Sequence, residues 1–144
     1  MPSKLYGNFL AKALNKEVDW DSDTIKVALL TSSYTPNQDT HDYFDDVSAN
    51  EVSGTGYTAG GQTLGSKTVT YDSANNVIIL DAADTTWSSS TITARYAVIY
   101  DDSGATAASK ALIGYVDFSS DQSSTNGNFT ITWDATGIVR ITVA

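Results

Sequence analysis

The side chains best suited to chemistry are scarce. The chain has one histidine, His41, and no cysteine. Histidine is the commonest general base and a frequent metal ligand, but a zinc site built from His and Cys needs three or four such ligands. Counting alone removes it. Serines and aspartates are numerous enough for a Ser-His-Asp arrangement, yet no Gly-x-Ser-x-Gly elbow occurs. His41 lies in a polar stretch and reads as a solvated loop residue.

The carboxylates are more numerous and equally unspecific. Asp19-x-Asp21-x-Asp23 matches the first ligands of an EF-hand loop, which then requires glycine at position six and glutamate at twelve. Thr24 and Leu30 stand there, so the EF-hand is excluded. Asp39, Asp42, Asp45 and Asp46 leave a looser calcium site open, with a solvated acidic loop as the plainer reading. A glycosidase needs paired carboxyl groups. The chain has two glutamates, Glu17 and Glu51, and its aspartates fall mainly in turns, where they cap backbone. Gly54-x-Gly56 followed by Gly60 lacks the Gly-Lys-Ser/Thr of a phosphate loop. Tyr34, Tyr43, Tyr57 and Trp87 lie in or near loops, where such rings either stack on sugars or plug the ends of a sandwich. From these residues we assign no catalytic residue, no cofactor-binding residue and no metal ligand, and expect no enzyme.

The elements that must carry these residues are mostly strands. Only Ser3 to Lys16 reads as a helix. Leu5, Phe9 and Ala13 form one row, Tyr6, Leu10 and Leu14 the next, and Ser3 is placed to cap the start. Thr24–Leu30 is a β-branched strand. From Thr31 to Ser66 the chain is irregular and rich in Gly and Asp, with a helical turn expected within His41–Val47. A loop of this length is usually functional. Strands follow at Lys67–Tyr71, Val77–Leu80, Ile92–Tyr100, Ala111–Phe118, Phe129–Trp133 and Ile138–Val143. Ile92, Ala94, Tyr96, Val98 and Tyr100 are expected on one face, with Ala97 and Ile99 on the other. The expected fold is mainly β: a single domain over residues 1–144, an antiparallel β-sandwich or partly open barrel of about seven strands with one N-terminal amphipathic helix.

Composition agrees. At 144 residues the chain suits one core, able to bury roughly two-thirds of its unfolded surface. Ser and Thr make up about a quarter of it and Tyr numbers 8, a mix that favours pleated strands and polar turns. Eight Lys and Arg against 17 Asp and Glu leave a net charge of -9. Nucleic-acid binding depends on Lys and Arg against phosphate, so no nucleic-acid partner is expected. An anionic membrane surface is disfavoured for the same reason, and no apolar run approaches a bilayer span. Met1–Leu10 lacks the long apolar stretch of an export signal, so the chain is expected to be made in a cytoplasm and to stay there or leave by cell lysis.

Several runs carry a likeness. Lys26-Val-Ala-Leu-Leu-Thr-Ser-Ser-Tyr-Thr-Pro-Asn37, Asp39-Thr-His-Asp42, Asp46-Val47, Glu51-Val-Ser-Gly-Thr-Gly-Tyr-Thr-Ala-Gly-Gly61 and Trp87-Ser-Ser-Ser-Thr-Ile-Thr-Ala-Arg-Tyr-Ala-Val-Ile-Tyr-Asp-Asp102 resemble small structural proteins of tailed bacteriophages. The likeness extends over roughly residues 4–143. It implies a non-enzymatic virion component, most naturally a capsid decoration protein bound to the major capsid protein, with a tail or neck accessory protein as the alternative. Outside the family, the alternative is a carbohydrate- or surface-binding β-sandwich module. A homo-oligomer is expected, with a trimer favoured because closed trimers suit three-fold positions on a shell. The long 31–66 segment and the N-terminal helix are the expected gripping elements.

Overall fold

The structure, a computed structural model, describes residues 3–143. In chain order its regular elements are β1 (Ser3–Leu5), α1 (Phe9–Leu14), β2 (Ile25–Leu30), β3 (Gln62–Thr63), β4 (Thr68–Asp72), β5 (Val77–Asp81), β6 (Thr85–Asp101), β7 (Leu112–Ile131) and β8 (Val139–Thr142). Single 3₁₀ turns lie at Phe44–Asp46, Ser48–Asn50 and Ala107–Ser109. One sheet has the order β1-β7-β6-β2-β3 and the other β4-β5-β8. Every strand pair is antiparallel, and among the described residues no pairing joins the two sheets into a barrel. The protein is a β-sandwich.

The centre of the larger sheet is buried on both faces, and the period-2 alternation of its central strands explains how. On β2, Ile25, Val27 and Leu29 point into the space shared with the smaller sheet, where Leu80 and Val139 meet them. Ala28 and Leu30 point the other way, into a second core with Tyr34, Phe44 and Val47. That second core is roofed by the segment from Thr31 onward. An antiparallel sheet often leaves one face to water. Here the long segment covers it instead.

The helix is shorter than its sequence period predicts. Ser3–Leu5 is a strand, pairing Ser3 with Val116, Lys4 with Tyr115 and Leu5 with Gly114. Helix α1 starts only after Asn8, which makes no side-chain cap, and Ser3 caps nothing. The cause is tertiary. The free edge of β7 offers a ladder to the first residues, and the Tyr6 N–H continues it to the Ile113 carbonyl at 3.1 Å. Gly7 then turns the chain while its N–H donates to the Gln38 carbonyl at 2.9 Å. Tyr6 therefore enters the second core instead of heading a row with Leu10 and Leu14.

Two further expectations change. Ala111–Phe118 and Phe129–Trp133 are not separate strands; β7 runs through both as 20 residues. It is bent by bulges against β6, whose Ala94 pairs with Gln122 while Tyr96 pairs with Asp117. The extra β7 residues hold Ser119 at φ 68. The Arg95 guanidinium closes the bulge on Asp117 at 2.7 Å, and the same carboxylate accepts the Ser119 N–H at 2.7 Å. The hydrogen bond from Arg95 holds the Asp117 carboxyl below its ordinary range. Because the bulge resets the alternation, Ile92 and Ala94 join Ala97 and Ile99 in the first core, while Val98 and Tyr100 belong to the second. The single face expected from Ile92 to Tyr100 is split at Arg95.

Candidate interaction surfaces

The structure puts each chemically interesting residue to local use. The His41 ring takes part in a hydrogen-bonded chain: Nδ1 lies 2.9 Å from the Tyr34 hydroxyl, which lies 2.7 Å from that of Tyr6. Burial pushes the Tyr34 phenol up to about 12 and raises Tyr6 further. Two phenols held neutral in this way are poor nucleophiles. The chain instead ties the 31–66 segment to the sheet.

The loop aspartates separate. The Asp42 carboxylate pairs with Lys12 at 3.6 Å, while the same Lys12 ammonium lies 3.5 Å from the centre of the Tyr43 ring and donates to the Asp42 carbonyl at 2.6 Å. Asp46 Oδ2 accepts the N–H groups of Asp42 and Tyr43 at 2.9 and 3.3 Å, capping the 3₁₀ turn. Among the described residues no group of three or more His, Asp or Glu side chains converges on a metal position. Asp19 and Asp23 likewise cap their own turn: the Asp19 N–H donates to Asp23 Oδ2 at 2.7 Å.

The aromatic residues are not gathered into a stacking platform. Tyr34 and Trp87 are buried in different cores. Tyr57 stacks on Trp87 at 6.1 Å between ring centres, donates its hydroxyl proton to Glu51 at 2.6 Å and accepts the Leu29 N–H at 3.0 Å. Tyr43 covers Lys12 and donates to Glu17 at 2.7 Å.

The same contacts define the 31–66 segment as a fixed roof. Glu51 Oε1 accepts from both the Tyr57 hydroxyl and the Gly60 N–H at 2.6 Å. The Tyr100 hydroxyl donates to the Gly60 carbonyl at 2.7 Å. Gly61, at φ +79, lies so close to the Val27 backbone that any Cβ would collide with it. At the far edge Asp102 bridges Lys26 and Lys110 at 2.8 and 2.6 Å. Burial opposes the charge on Asp102, yet these two ammonium groups keep its carboxyl below the usual range.

One buried acid gives no sign of itself in the sequence. Asp101 is 2% exposed, and burial beside Asp23 pushes its carboxyl up to about 6. One oxygen accepts the Ser103 N–H at 2.8 Å. The other has no partner among the described residues. The turn Asp101-Asp102-Ser103-Gly104 announces itself in the sequence; the burial of its first residue does not.

The side of the sandwich beside α1 is open. Among the described residues the exposed large apolar side chains are Leu10, Leu14, Val69, Tyr71 and Val143. Register explains the strand positions. Val69 aligns with Leu80 and Val139, and Tyr71 with Ile78 and Ile141, so all six share the inner face of the smaller sheet. Strand β4 lies at the edge and overhangs α1. A groove of about 440 Å³ runs between them, lined by Leu10, Ala13, Trp20, Val69 and Ile141. A second cleft of about 530 Å³ separates β1 from β8, with Lys4, Trp133 and Arg140 among its walls. No helix among the described residues is long and apolar enough to cross a membrane. Comparison with protein-family models, curated proteins and solved structures finds no match.

The 31–66 segment and α1, expected together as the gripping elements, behave differently. The first spends its apolar residues on its own domain, whereas α1 leaves Leu10 and Leu14 in solvent. Val69 and Tyr71 were legible as one face of a strand. That this strand lies at an edge was not.

Proposed function

We propose that this chain is a non-enzymatic structural protein of a tailed-phage virion: a capsid decoration protein that binds the assembled shell and stabilises it. The observation that carries the reading is the open apolar end, where Leu10, Leu14, Val69, Tyr71 and Val143 lie uncovered on an otherwise polar surface. A rimmed apolar patch marks a contact with protein. It sits on a two-layer scaffold whose loops are locked by Glu51, Asp46 and Asp102, the preorganisation that lowers the entropic cost of binding. A net charge of -9 favours solubility before assembly. The sequence runs that resemble phage structural proteins name the kind of assembly. Binding only the assembled lattice stabilises that lattice by mass action.

Purified particles test this directly. Mass spectrometry and electron microscopy should find the chain in many copies over the capsid, and particles lacking it should lose their genome at lower temperature. Density confined to the neck or tail would move the protein to an accessory role there. Its absence from particles would end the proposal.

A further inference from the structure

The open end combines an apolar face with a free backbone edge. Strand β4 reads Thr68-Val69-Thr70-Tyr71-Asp72 and pairs, among the described residues, with β5 alone, in unbroken register. It is the longest of the four sheet edges: β1 has 3 residues, β3 has 2, β8 has 4 and β4 has 5. Natural edges are guarded by Lys, Pro, bulges or brevity. β4 has no Lys, Pro or bulge, and its one charge, Asp72, stands at its end. Its neighbour Lys67 is turned back to the Asp23 carbonyl of its own chain. Part of the exposed apolar set lies beside this edge, with Val143 across β5 from it. Leu10 lines the same groove as Val69, and Leu14 stands one turn further along α1. The Val143 N–H bonds the Asn76 carbonyl, while the Tyr71 hydroxyl bonds the Asn76 side chain.

We propose that two copies of this chain join through β4, antiparallel across a two-fold axis at Thr70. The sequence of the edge is self-complementary in that register. Thr70 faces Thr70 of the partner subunit, Val69 faces the partner's Tyr71, and Thr68 faces the partner's Asp72. No like charges stand opposite one another. Directly opposed residues of an antiparallel pair lie on the same face. The two Val–Tyr pairs therefore form one apolar row on the inner face, the aromatic and β-branched partnership that stabilises antiparallel strands. The row lies at the mouth of each groove. The two three-stranded sheets merge into one of six strands. Because the contact is isologous, each β4 edge is consumed by the other and the assembly closes at two instead of growing into a fibre. This departs from the three-fold association expected from the sequence. It rests on the open end being a protein contact, not on the particle role, so either can fail without the other.

The test is register-specific. Sedimentation equilibrium of the full chain should give a dimer. Val69→Glu and Tyr71→Lys should each weaken it about tenfold or more, with thermal unfolding below the association range confirming that each variant monomer is folded. The double variant should recover the dimer, because each new glutamate then faces a new lysine across the axis. A wild-type chain that stays monomeric at several hundred micromolar, or sediments as a trimer, overturns the proposal. So does a dimer indifferent to both single changes, or a double variant no tighter than the singles.

Discussion

The two faces that flank the sheets of this protein spend similar side chains differently. Beneath the 31–66 roof, Phe44 stacks on Tyr100 at 4.1 Å between ring centres, and Val47 is fully buried. Beside α1 and β4, Leu14 is 85% exposed and Tyr71 is 57% exposed. Hydrophobicity alone does not separate these sites. On the roofed side, hydrogen bonds from Glu51, Asp46 and the Tyr6–Tyr34–His41 chain hold a long segment down, so its apolar residues find partners. On the open side a six-residue helix covers only part of the smaller sheet. What remains uncovered is available to another protein.

The contrast can be broken most forcefully on the roofed side. Phe44→Ala removes a buried ring stacked on Tyr100 and should lower unfolding free energy by about 3–5 kcal/mol in a denaturant titration. A loss below about 1 kcal/mol would mean the roof is not part of the core.

The next effect belongs to Asp101. Its folded carboxyl titrates near 6, above the ordinary range, so between that range and 6 the folded state holds a proton the unfolded chain has released. Stability should therefore fall as pH rises through this window. A shift of about two units corresponds to at most ~3 kcal/mol. Asp101→Asn should flatten this part of the stability–pH profile. An unchanged profile would place the titration elsewhere.

Glu51→Ala leaves the Tyr57 hydroxyl and the Gly60 N–H without their acceptor and should cost about 1–3 kcal/mol. Hydrogen exchange should accelerate around Gly60 and Gly61 more than in β6. Uniform acceleration would show that the segment does not open by itself.

The smallest expected effect is on the open side. Leu14→Ser should change monomer stability by less than about 0.5 kcal/mol. A larger loss, measured at concentrations too low for association, would show that Leu14 already packs within its own chain and would narrow the difference between the two sides.

Much of the fold was legible in the strand pattern. Thr24–Leu30 anticipated β2 almost to the residue, and Lys67–Tyr71 and Val77–Leu80 anticipated β4 and β5. The short helical turn expected within His41–Val47 appears at Phe44–Asp46. The helix start, the continuity of β7 and the switch of face at Arg95 were not legible. Each depends on a neighbour far along the chain: the β7 edge beside Ser3–Leu5, and the β6 partner that absorbs the bulge between Asp117 and Gln122.

The sequence by itself determined the class of molecule: one β-rich, acidic domain with a single histidine and no cysteine, because composition and period-2 alternation are local properties that need no partner to be read. Only the tertiary structure decided which strand lies at an edge, which of two similar apolar stretches is roofed and which is left open. Those outcomes follow from sheet order and from covering segments, and both are set by contacts between residues distant in sequence. Thr68-Val69-Thr70-Tyr71-Asp72 would read the same in the middle of a sheet; its place at the rim is what leaves Val69 and Tyr71 exposed.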